Sequence, residues 1–350
     1  MRKYIISALA LFAAAGIVLC PGELSASVRS SVSGCLEVVI PALFAFTVLA
    51  VYLQKSGLYR TALRPVTKPL SLLLGIPEEL CAVFLLANIG GYPVGARLLT
   101  VMVKNGRLSR RSAAKLLCCC YGSGPSFVIG TAGTVVFGSA AVGGIIYAAC
   151  FLSSLVMAVV ICRTGERITL AETSCGCDLS AECFVQSVDS GARVMYTVCA
   201  MAAAFAAVTA LLECSGATRL VGELLRLAGL GGNAERVFPA FLEVTRIRDM
   251  LPGKFAAPLC AGLLSFGGVC VLTQVAAITG GAVPMKRLVA RIPAALLSAV
   301  FALPAGLIDT AREAGTFHPA AEAFSVNAGL SVCVLIMAGM LTAGCAFRRR

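Results

Sequence analysis

The residues of this sequence that could bind a polar solute lie at four interruptions in long apolar runs. Each interruption combines glycine or proline, which disfavour a continuous helix, with polar side chains. The four stretches are 88–96, 121–126, 243–245 and 265–268. A broken backbone inside a bilayer must be satisfied by protein or by water in a cavity, and many transporters build their substrate sites in this way. These stretches therefore predict solute binding rather than covalent chemistry.

The first interruption predicts a re-entrant hairpin, with one helix at 80–88, a break at 90–95 and a second helix at 96–103. Basic residues both precede and follow it, so the chain is expected to enter and leave on the same side. The candidate binding residues are Asn88, Gly90, Gly91, Tyr92 and Gly95. In the alternative interpretation, Asn88 caps a helix end, Tyr92 packs as an interfacial aromatic, and the glycines only allow helices to approach.

The second interruption divides a helix predicted over 109–137. Ser123, Gly124 and Ser126 surround Pro125 and are candidate binding residues. A helix that restarts at Pro125 points free N–H groups into a cavity, and such groups favour an anion. A proline kink whose backbone groups are satisfied by neighbouring helices is the alternative.

The third interruption lies in a second predicted hairpin, which runs over 237–242, breaks at 243–245 and continues over 246–251. Its candidate binding residues are Glu243, Thr245 and Arg246. A carboxylate at membrane depth is costly, so it predicts a function. One alternative is a structural ion pair between Glu243 and Arg246, which are three residues apart. Another is an aqueous loop, favoured by the charges at 248–254.

The fourth interruption falls within a helix predicted over 255–279. Gly267 and Gly268 break the helix, and Thr273 and Gln274 lie just past them. We expect all four to contribute to the solute site. The alternative for Thr273 and Gln274 is a hydrogen bond to a neighbouring helix.

Composition places these stretches in a polytopic membrane protein. Hydrophobic residues make up 59% of the chain and charged residues 13%, against about 25% charged in soluble domains. The net charge of +12 resides in short loops, as the positive-inside rule expects, so we predict no nucleic-acid partner.

Enzymatic chemistry has no support in the residue types present. His318 is the single histidine, and no serine–histidine–acid set, P-loop or dinucleotide fingerprint occurs. We therefore predict no enzyme, no cofactor and no metal site. Most of the 17 cysteines lie in apolar runs and are expected to pack as small hydrophobes; Cys175 and Cys177 are the one pair left open.

The sequence predicts an all-α, transporter-like fold. It contains eight transmembrane helices, two of them broken, and two re-entrant hairpins. The first helix has features of a signal peptide, but we interpret it as a retained span. The predicted spans are 4–20, 36–53, 109–137, 142–162, 194–212, 255–279, 292–308 and 324–347. This topology places 21 of the 29 lysines and arginines inside, so both termini are expected in the cytoplasm and His318 outside. The basic stretch containing Lys286, Arg287 and Arg291 marks one of the inside loops.

The order of elements predicts an inverted repeat. The first repeat covers 36–162 and the second, inverted, repeat covers 192–308. An N-terminal helix and outside loop at 1–35 and an outside loop and C-terminal helix at 309–350 flank the repeats, and a cytoplasmic linker at 163–191 joins them. Such symmetry places a binding site near the bilayer midplane, between the breaks.

Several of these stretches resemble the YlbJ-type sporulation integral membrane proteins, which contain two nucleoside-recognition, or Gate, regions. The resemblance covers about residues 36–300. Its most specific parts are Gly-Tyr-Pro-Val-Gly-Ala at 91–96 and Gln-Val-Ala at 274–276, and it extends to 122–125, 241–245 and 265–268. It implies a transporter-like core in a bacterial cytoplasmic or forespore membrane, linked to sporulation and to the movement of dipicolinate.

Two classes of function follow from these observations. The first is a transporter or facilitator for a small polar solute, expected to be anionic and dipicolinate-like, with a nucleoside-type solute as its variant and H+ or Na+ as the coupling ion. The second is a non-transporting assembly or scaffold protein of the spore envelope. The lipid bilayer is the partner in either case, and an oligomer is compatible with both. A polar cavity between the breaks favours transport, whereas a sealed apolar seam favours the scaffold.

Overall fold

The computed structural model describes residues 2–164, 166–171, 179–227, 229–253 and 255–305. Within these ranges the chain is 83% helical and contains no strand. Helices predominate because a bilayer offers no hydrogen-bond partners, so each spanning segment must satisfy its own backbone groups.

The α-helices follow one another along the whole described chain. Their bounds are α1 Arg2–Leu19, α2 Pro21–Gly34, α3 Ile40–Ser56, α4 Tyr59–Ala62, α5 Arg64–Leu74, α6 Glu78–Gly90, α7 Tyr92–Lys104, α8 Arg110–Leu117, α9 Pro125–Phe127, α10 Ala140–Arg163, α11 Ala181–Cys214, α12 Ala217–Leu227, α13 Ala234–Leu242, α14 Ala256–Phe266, α15 Gly268–Thr279 and α16 Arg291–Phe301. Wider π-helical turns extend two of these elements, at Cys35–Val39 and Val128–Val136. Tighter 3₁₀ turns occur at Gly231–Asn233, Val244–Asp249 and Met285–Ala290.

Four segments of the described chain are long and apolar enough to cross a membrane. They are Ala140–Arg163, Ala181–Cys214, Ala256–Thr279 and Met285–Ala305. A fifth is counted if α5 and α6, which meet at 106°, are taken as one broken span. The protein is therefore an α-helical, multi-pass membrane protein, in agreement with the sequence-based expectation at this level.

Two polar stretches predicted as connections are helical. Residues 21–34, expected as an outside loop, form α2, whose serine-rich sequence packs along α11. The end of the predicted linker belongs to α11, which begins at Ala181 because the Ser180 side chain accepts a hydrogen bond from the Cys183 N–H at 3.1 Å. At 34 residues α11 is about 51 Å long, more than a bilayer core requires.

Other predictions fall outside the described residues. These are the helix at 324–347, the loop with His318, the pair Cys175 and Cys177, and the last residues of the helix at 292–308.

The first hairpin, formed by α6 and α7, folds back on itself at the centre of the core. Gly91 makes the turn at φ +88°, a conformation that favours glycine. At the open end, the Arg107 guanidinium donates two hydrogen bonds to the Glu79 carboxylate, at 2.5 and 2.7 Å. Since Glu79 begins α6 and Arg107 follows α7, this ion pair joins the two ends of the hairpin.

The second hairpin consists of α13 and the 3₁₀ turn Val244–Asp249. Its predicted second helical arm, 246–251, is wrong: the chain is extended at Glu243 and then forms a short 3₁₀ segment. The Asn233 side chain closes the open end by donating to the Leu251 carbonyl at 2.9 Å and accepting from the Leu251 N–H at 2.8 Å. Both predicted hairpins thus fold back with their ends joined.

Candidate functional site

The first two breaks pack directly against each other. The Asn88 amide donates to the Phe84 carbonyl of its own helix at 2.8 Å and to the Cys119 carbonyl at 3.2 Å. A Cβ atom added at Gly124 would lie 2.9 Å from the Ile89 carbonyl oxygen, so only glycine fits this approach. Asn88 therefore ties α6 to the second break.

The glycines of the first hairpin serve this packing. A Cβ atom at Gly95 would overlap the carbonyl oxygen of Cys120, and one at Gly90 would lie 2.5 Å from the Phe46 ring. Gly90 and Gly95 therefore allow close packing of neighbouring segments, which is the alternative that the sequence offered for them.

The fourth interruption joins this contact through two tyrosines. The rings of Tyr92 and Tyr121 meet edge to face with centroids 5.0 Å apart. The Tyr92 hydroxyl donates to the Leu264 carbonyl. Gly267 has φ +85°, and a Cβ atom there would lie 2.7 Å from the Tyr121 hydroxyl oxygen. The breaks at 88–96, 121–126 and 265–268 therefore converge on this tyrosine pair.

The second hairpin completes the cluster. A Cβ atom at Gly268 would lie 2.9 Å from the Phe241 carbonyl oxygen, next to the tip of α13. The Phe241 ring also stacks on that of Phe266, with centroids 5.2 Å apart. All four breaks are thus contiguous, and we call them the break cluster.

Arg291 begins α16 and lies inside the fold beside the break cluster, so its assignment to a loop is wrong. Its side chain is fully buried and donates to the Ser265 carbonyl and hydroxyl at 2.6 and 2.8 Å, to the Cys118 carbonyl at 3.0 Å and to the Ser154 hydroxyl at 3.3 Å. The guanidinium also lies 5.4 Å from the centroid of the Tyr121 ring. Among the described residues no carboxylate pairs with it, so its hydrogen bonds are satisfied but its charge is not neutralised.

Two hydroxyls of the second break are buried without a hydrogen bond in the described structure. They are those of Tyr121, which is fully buried, and Ser123, which is 3% exposed. An unsatisfied buried polar group costs about 1–3 kcal/mol. Ser126, by contrast, is exposed and does not join these hydroxyls. The Tyr121 hydroxyl thus leaves hydrogen-bonding capacity unused on a ring that packs against Arg291, whereas the Ser123 hydroxyl lies beside that of Tyr92.

A cavity of about 210 Å³ opens between α2, α11 and the second hairpin. It is smaller than typical drug-sized pockets of about 300–1,000 Å³ and suits a small solute. Polar residues line two of its sides, as a row of serines on α2 and the charged tip of the second hairpin, while Cys35, Val39, Phe127 and Val135 line it with apolar surface. These lining residues include Ser27, Ser30, Ser31, Gly34, Thr209, Glu243, Thr245, Arg246 and Arg248.

Glu243 lies on the wall of this cavity and is only 4% exposed. Its carboxylate accepts hydrogen bonds from the Thr245 hydroxyl at 2.6 Å and from the Thr245 N–H at 3.2 Å. Burial raises the pKa of Glu243 above its ordinary value, while the Thr245 hydrogen bonds act in the opposite direction. An aqueous loop does not describe Glu243 itself.

Arg246 does not form the proposed ion pair with Glu243. It pairs instead with Glu213 of α11 and with Asp249 at 3.3 Å. The reason is the backbone: Glu243 is extended, so its carboxylate caps the 3₁₀ turn through Thr245, whereas the Arg246 side chain reaches Glu213 and Asp249. Arg246 therefore lines the cavity with its own partners, and Glu243 forms no ion pair within 4 Å among the described residues, although Arg246 and Arg248 lie near it.

Thr273 and Gln274 bond within their own helix. The Thr273 hydroxyl donates to the Cys270 carbonyl at 2.6 Å, and the Gln274 amide donates to the Cys270 sulfur at 3.2 Å. Neither the predicted hydrogen bond to another helix nor a place on the wall of the 210 Å³ cavity is observed for them.

A second cavity, of about 380 Å³, lies at the open end of the first hairpin. Its lining includes Arg64, Thr67, Glu78 and Glu79, and none of the predicted binding residues. Size alone therefore does not select the functional site.

Sequence reasoning missed Arg291, the serines of α2 and the role of Tyr121. The spacing of Ser27, Ser30, Ser31 and Gly34 by three and four residues was a usable signal, because it places them along one helix face. Arg291 gave a weaker signal, as the last charge before an apolar run.

Comparison with protein-family models, with curated proteins and with solved structures found no match to this chain. The resemblance to the YlbJ-type proteins therefore rests on the sequence motifs alone.

Proposed function

We propose that the protein is a membrane transporter or facilitator for a small polar, anionic solute. The observation that carries this proposal is the buried charge of Arg291 beside the unused hydroxyl of Tyr121. An arginine stays protonated in proteins, and a buried charge without an opposite charge is costly. An anionic solute that reaches the break cluster supplies both the missing charge and an acceptor for the hydroxyl.

The 210 Å³ cavity provides the entrance in this proposal. Arg246 and Arg248 attract an anion to its rim, and Glu243 and Thr245 lie at its inner wall. Beyond them, the contact of Phe241 with Gly268 and the Tyr92–Tyr121 pair separate the cavity from Arg291. Movement of the second hairpin away from Gly268 would connect the cavity with Arg291.

The finer topology belongs to the same proposal. Eight spans, re-entrant hairpins and an inverted repeat of 36–162 and 192–308 are consistent with the four apolar spans and with two hairpins whose ends are joined. In this topology both termini are cytoplasmic. Reporter fusions at Lys68 and Arg110 should report the same side of the membrane; opposite sides would make the first hairpin a crossing.

The sequence resemblance suggests the solute and the setting. Dipicolinate is a small aromatic dicarboxylate, which fits a buried arginine, and the implied setting is a bacterial cytoplasmic or forespore membrane during sporulation. Glu243 is the candidate for coupling to H+ or Na+, because it is a buried carboxylate on the cavity wall that forms no direct ion pair among the described residues.

Uptake into liposomes tests the proposal. We expect the purified protein to move aromatic dicarboxylates in preference to nucleosides. Nucleoside uptake with carboxylates ignored would favour the nucleoside-type transporter, and no uptake of either would favour the scaffold.

Tyr121→Phe sharpens this test, because the lost hydroxyl makes no hydrogen bond in the described structure. We expect the variant to fold with unchanged or increased stability and to lose most dicarboxylate uptake. Tyr147→Phe is the matched control: its hydroxyl donates to the Asn88 carbonyl at 3.4 Å, outside the unsatisfied pair. Unchanged uptake in Tyr121→Phe would remove this hydroxyl from the site.

A further inference from the structure

Helices α2 and α11 pack antiparallel with cysteines at matching ends. Midway along α2, the Ser27 hydroxyl donates to the Ala206 carbonyl of α11 at 3.0 Å, which fixes the register. Cys20 and Cys35 bracket α2 and are 15 residues apart, and Cys199 and Cys214 on α11 have the same separation. The register therefore places Cys20 opposite Cys214 and Cys35 opposite Cys199.

Side-chain positions agree with this register at both ends. The sulfur atoms of Cys20 and Cys214 and a carboxylate oxygen of Glu23 all lie within 4.8 Å of one another. At the other end, the Cys35 thiol lies against that of Cys199. Cys214 is exposed, Cys20 and Cys199 are half-buried, and Cys35 is buried.

We propose that Cys20 pairs with Cys214, and Cys35 with Cys199, in two disulfides that fasten α2 to α11. Each bond forms by exchange with a disulfide-bearing oxidant: two thiols lose two protons and two electrons, and the disulfide of the oxidant becomes two thiols. A bond length of about 2.05 Å requires the paired side chains to rotate toward each other, and the backbone register already holds them opposite.

The position of the Cys20–Cys214 pair at the end of α11 fits an oxidising compartment. The opposite end of α11 bears Glu182, Asp189 and Arg193, and Lys55 donates to Gln186 there at 2.9 Å. In the proposed topology that end faces the cytoplasm, so Cys20 and Cys214 face outward, where disulfides persist. Only this sidedness rests on the proposed function; the pairing rests on the α2–α11 register.

The disulfides would fix one wall of the 210 Å³ cavity. Ser27, Ser30 and Ser31 line it from α2, and Thr209 lines it from α11. The wall opposite them is the second hairpin, whose tip carries no cysteine. Because the disulfides would hold the wall formed by α2 and α11, and no disulfide holds the second hairpin, movement would be confined to that hairpin.

Peptide mapping without reduction tests the pairing in the full chain. Membranes are denatured in detergent with N-ethylmaleimide present, so that free thiols are blocked before they can exchange. We expect linked peptides that join Cys20 to Cys214 and Cys35 to Cys199. Cys81, near the start of α6, and Cys162, near the end of α10, are neighbours; they are the control pair and should both be alkylated.

Substitution separates specific pairing from chance oxidation. Cys20→Ser should leave Cys214 alkylated while the Cys35–Cys199 peptide stays linked. Alkylation of all four cysteines in the unmodified protein would overturn the proposal, and so would linkage in any other pairing. Protection of Cys20 and Cys214 that ends when a chelator releases zinc would overturn it in favour of a metal site. Liposome uptake and reporter fusions are read separately, so failure here is distinguishable from failure of the transport proposal.

Discussion

Each hairpin buries one carboxylate, and the two carboxylates are held by different kinds of partner. In the first hairpin Glu79 receives two hydrogen bonds from Arg107, at 2.5 and 2.7 Å, and the pair closes the hairpin. In the second hairpin Glu243 receives hydrogen bonds from Thr245 and faces a cavity. A carboxylate with a bidentate cation serves structure, whereas one held by a hydroxyl is available to a proton, a cation or a solute.

The first hairpin is also more deeply buried and more strongly closed than the second. Most residues of α6 and α7 are buried, whereas in α13 the buried residues are Ala234, Pro239 and Ala240. The second hairpin also replaces its second arm by a 3₁₀ turn and closes with two neutral hydrogen bonds. We infer that the first hairpin is the fixed frame and the second is the moving part.

Glu79→Ala should have the largest effect on stability. Removing one partner of a buried ion pair costs about 3–5 kcal/mol, because the other charge stays buried. Unfolding in detergent micelles with increasing denaturant measures the loss. Glu166→Ala is the control: its pair with Arg111 is about two-thirds exposed on both sides, so we expect less than about 1 kcal/mol. An equal loss of unfolding free energy in the two variants would show that the buried ion pair of the first hairpin contributes no more than an exposed one.

Gly95→Ala should come next. The added methyl group would overlap the Cys120 carbonyl, and overpacking of this kind costs about 1–3 kcal/mol. Gly144→Ala provides the matched control in α10, since a Cβ atom there meets nothing within 4 Å. Thermal unfolding should separate the two variants; a stable Gly95→Ala protein would show that the first hairpin can shift, contrary to its role as a frame.

Asn233→Ala should have a smaller and more local effect. It removes two hydrogen bonds at the end of the second hairpin, each worth about 0.5–1.5 kcal/mol. We expect faster hydrogen exchange over 234–250 with little change elsewhere. Asn105→Ala, at the exposed end of α7, is the control. If exchange over 234–250 stayed at its original rate, the second hairpin would not be held by this closure.

The positions of the breaks were accessible from the sequence, and their partners were not. Glycine, proline and a charge within apolar runs mark the turn at Gly91, the restart at Pro125 and the tip at Glu243, since these residues disfavour helix wherever they occur. Contacts between breaks depend on tertiary packing. The approach of Gly267 to Tyr121 has no local signature.

Two errors show why local rules failed. Arg291 was assigned to a loop because the positive-inside rule counts charges by their place along the chain, and it cannot identify one that turns into the core. The Glu243–Arg246 pair assumed helical spacing, and the extended backbone at Glu243 abolished it. The α2 helix was missed because its serine-rich sequence gains stability only by packing on α11.

Uptake by Glu243→Gln is the measurement that tests the comparison of the hairpins most directly. The substitution keeps the shape of the side chain and removes its charge, and no direct ion-pair partner of Glu243 is left behind among the described residues. We expect the variant to insert and unfold like the unmodified protein, yet to lose solute uptake in liposomes, while Glu223→Gln on α12 retains it. A folded Glu243→Gln protein with unchanged uptake would contradict the account.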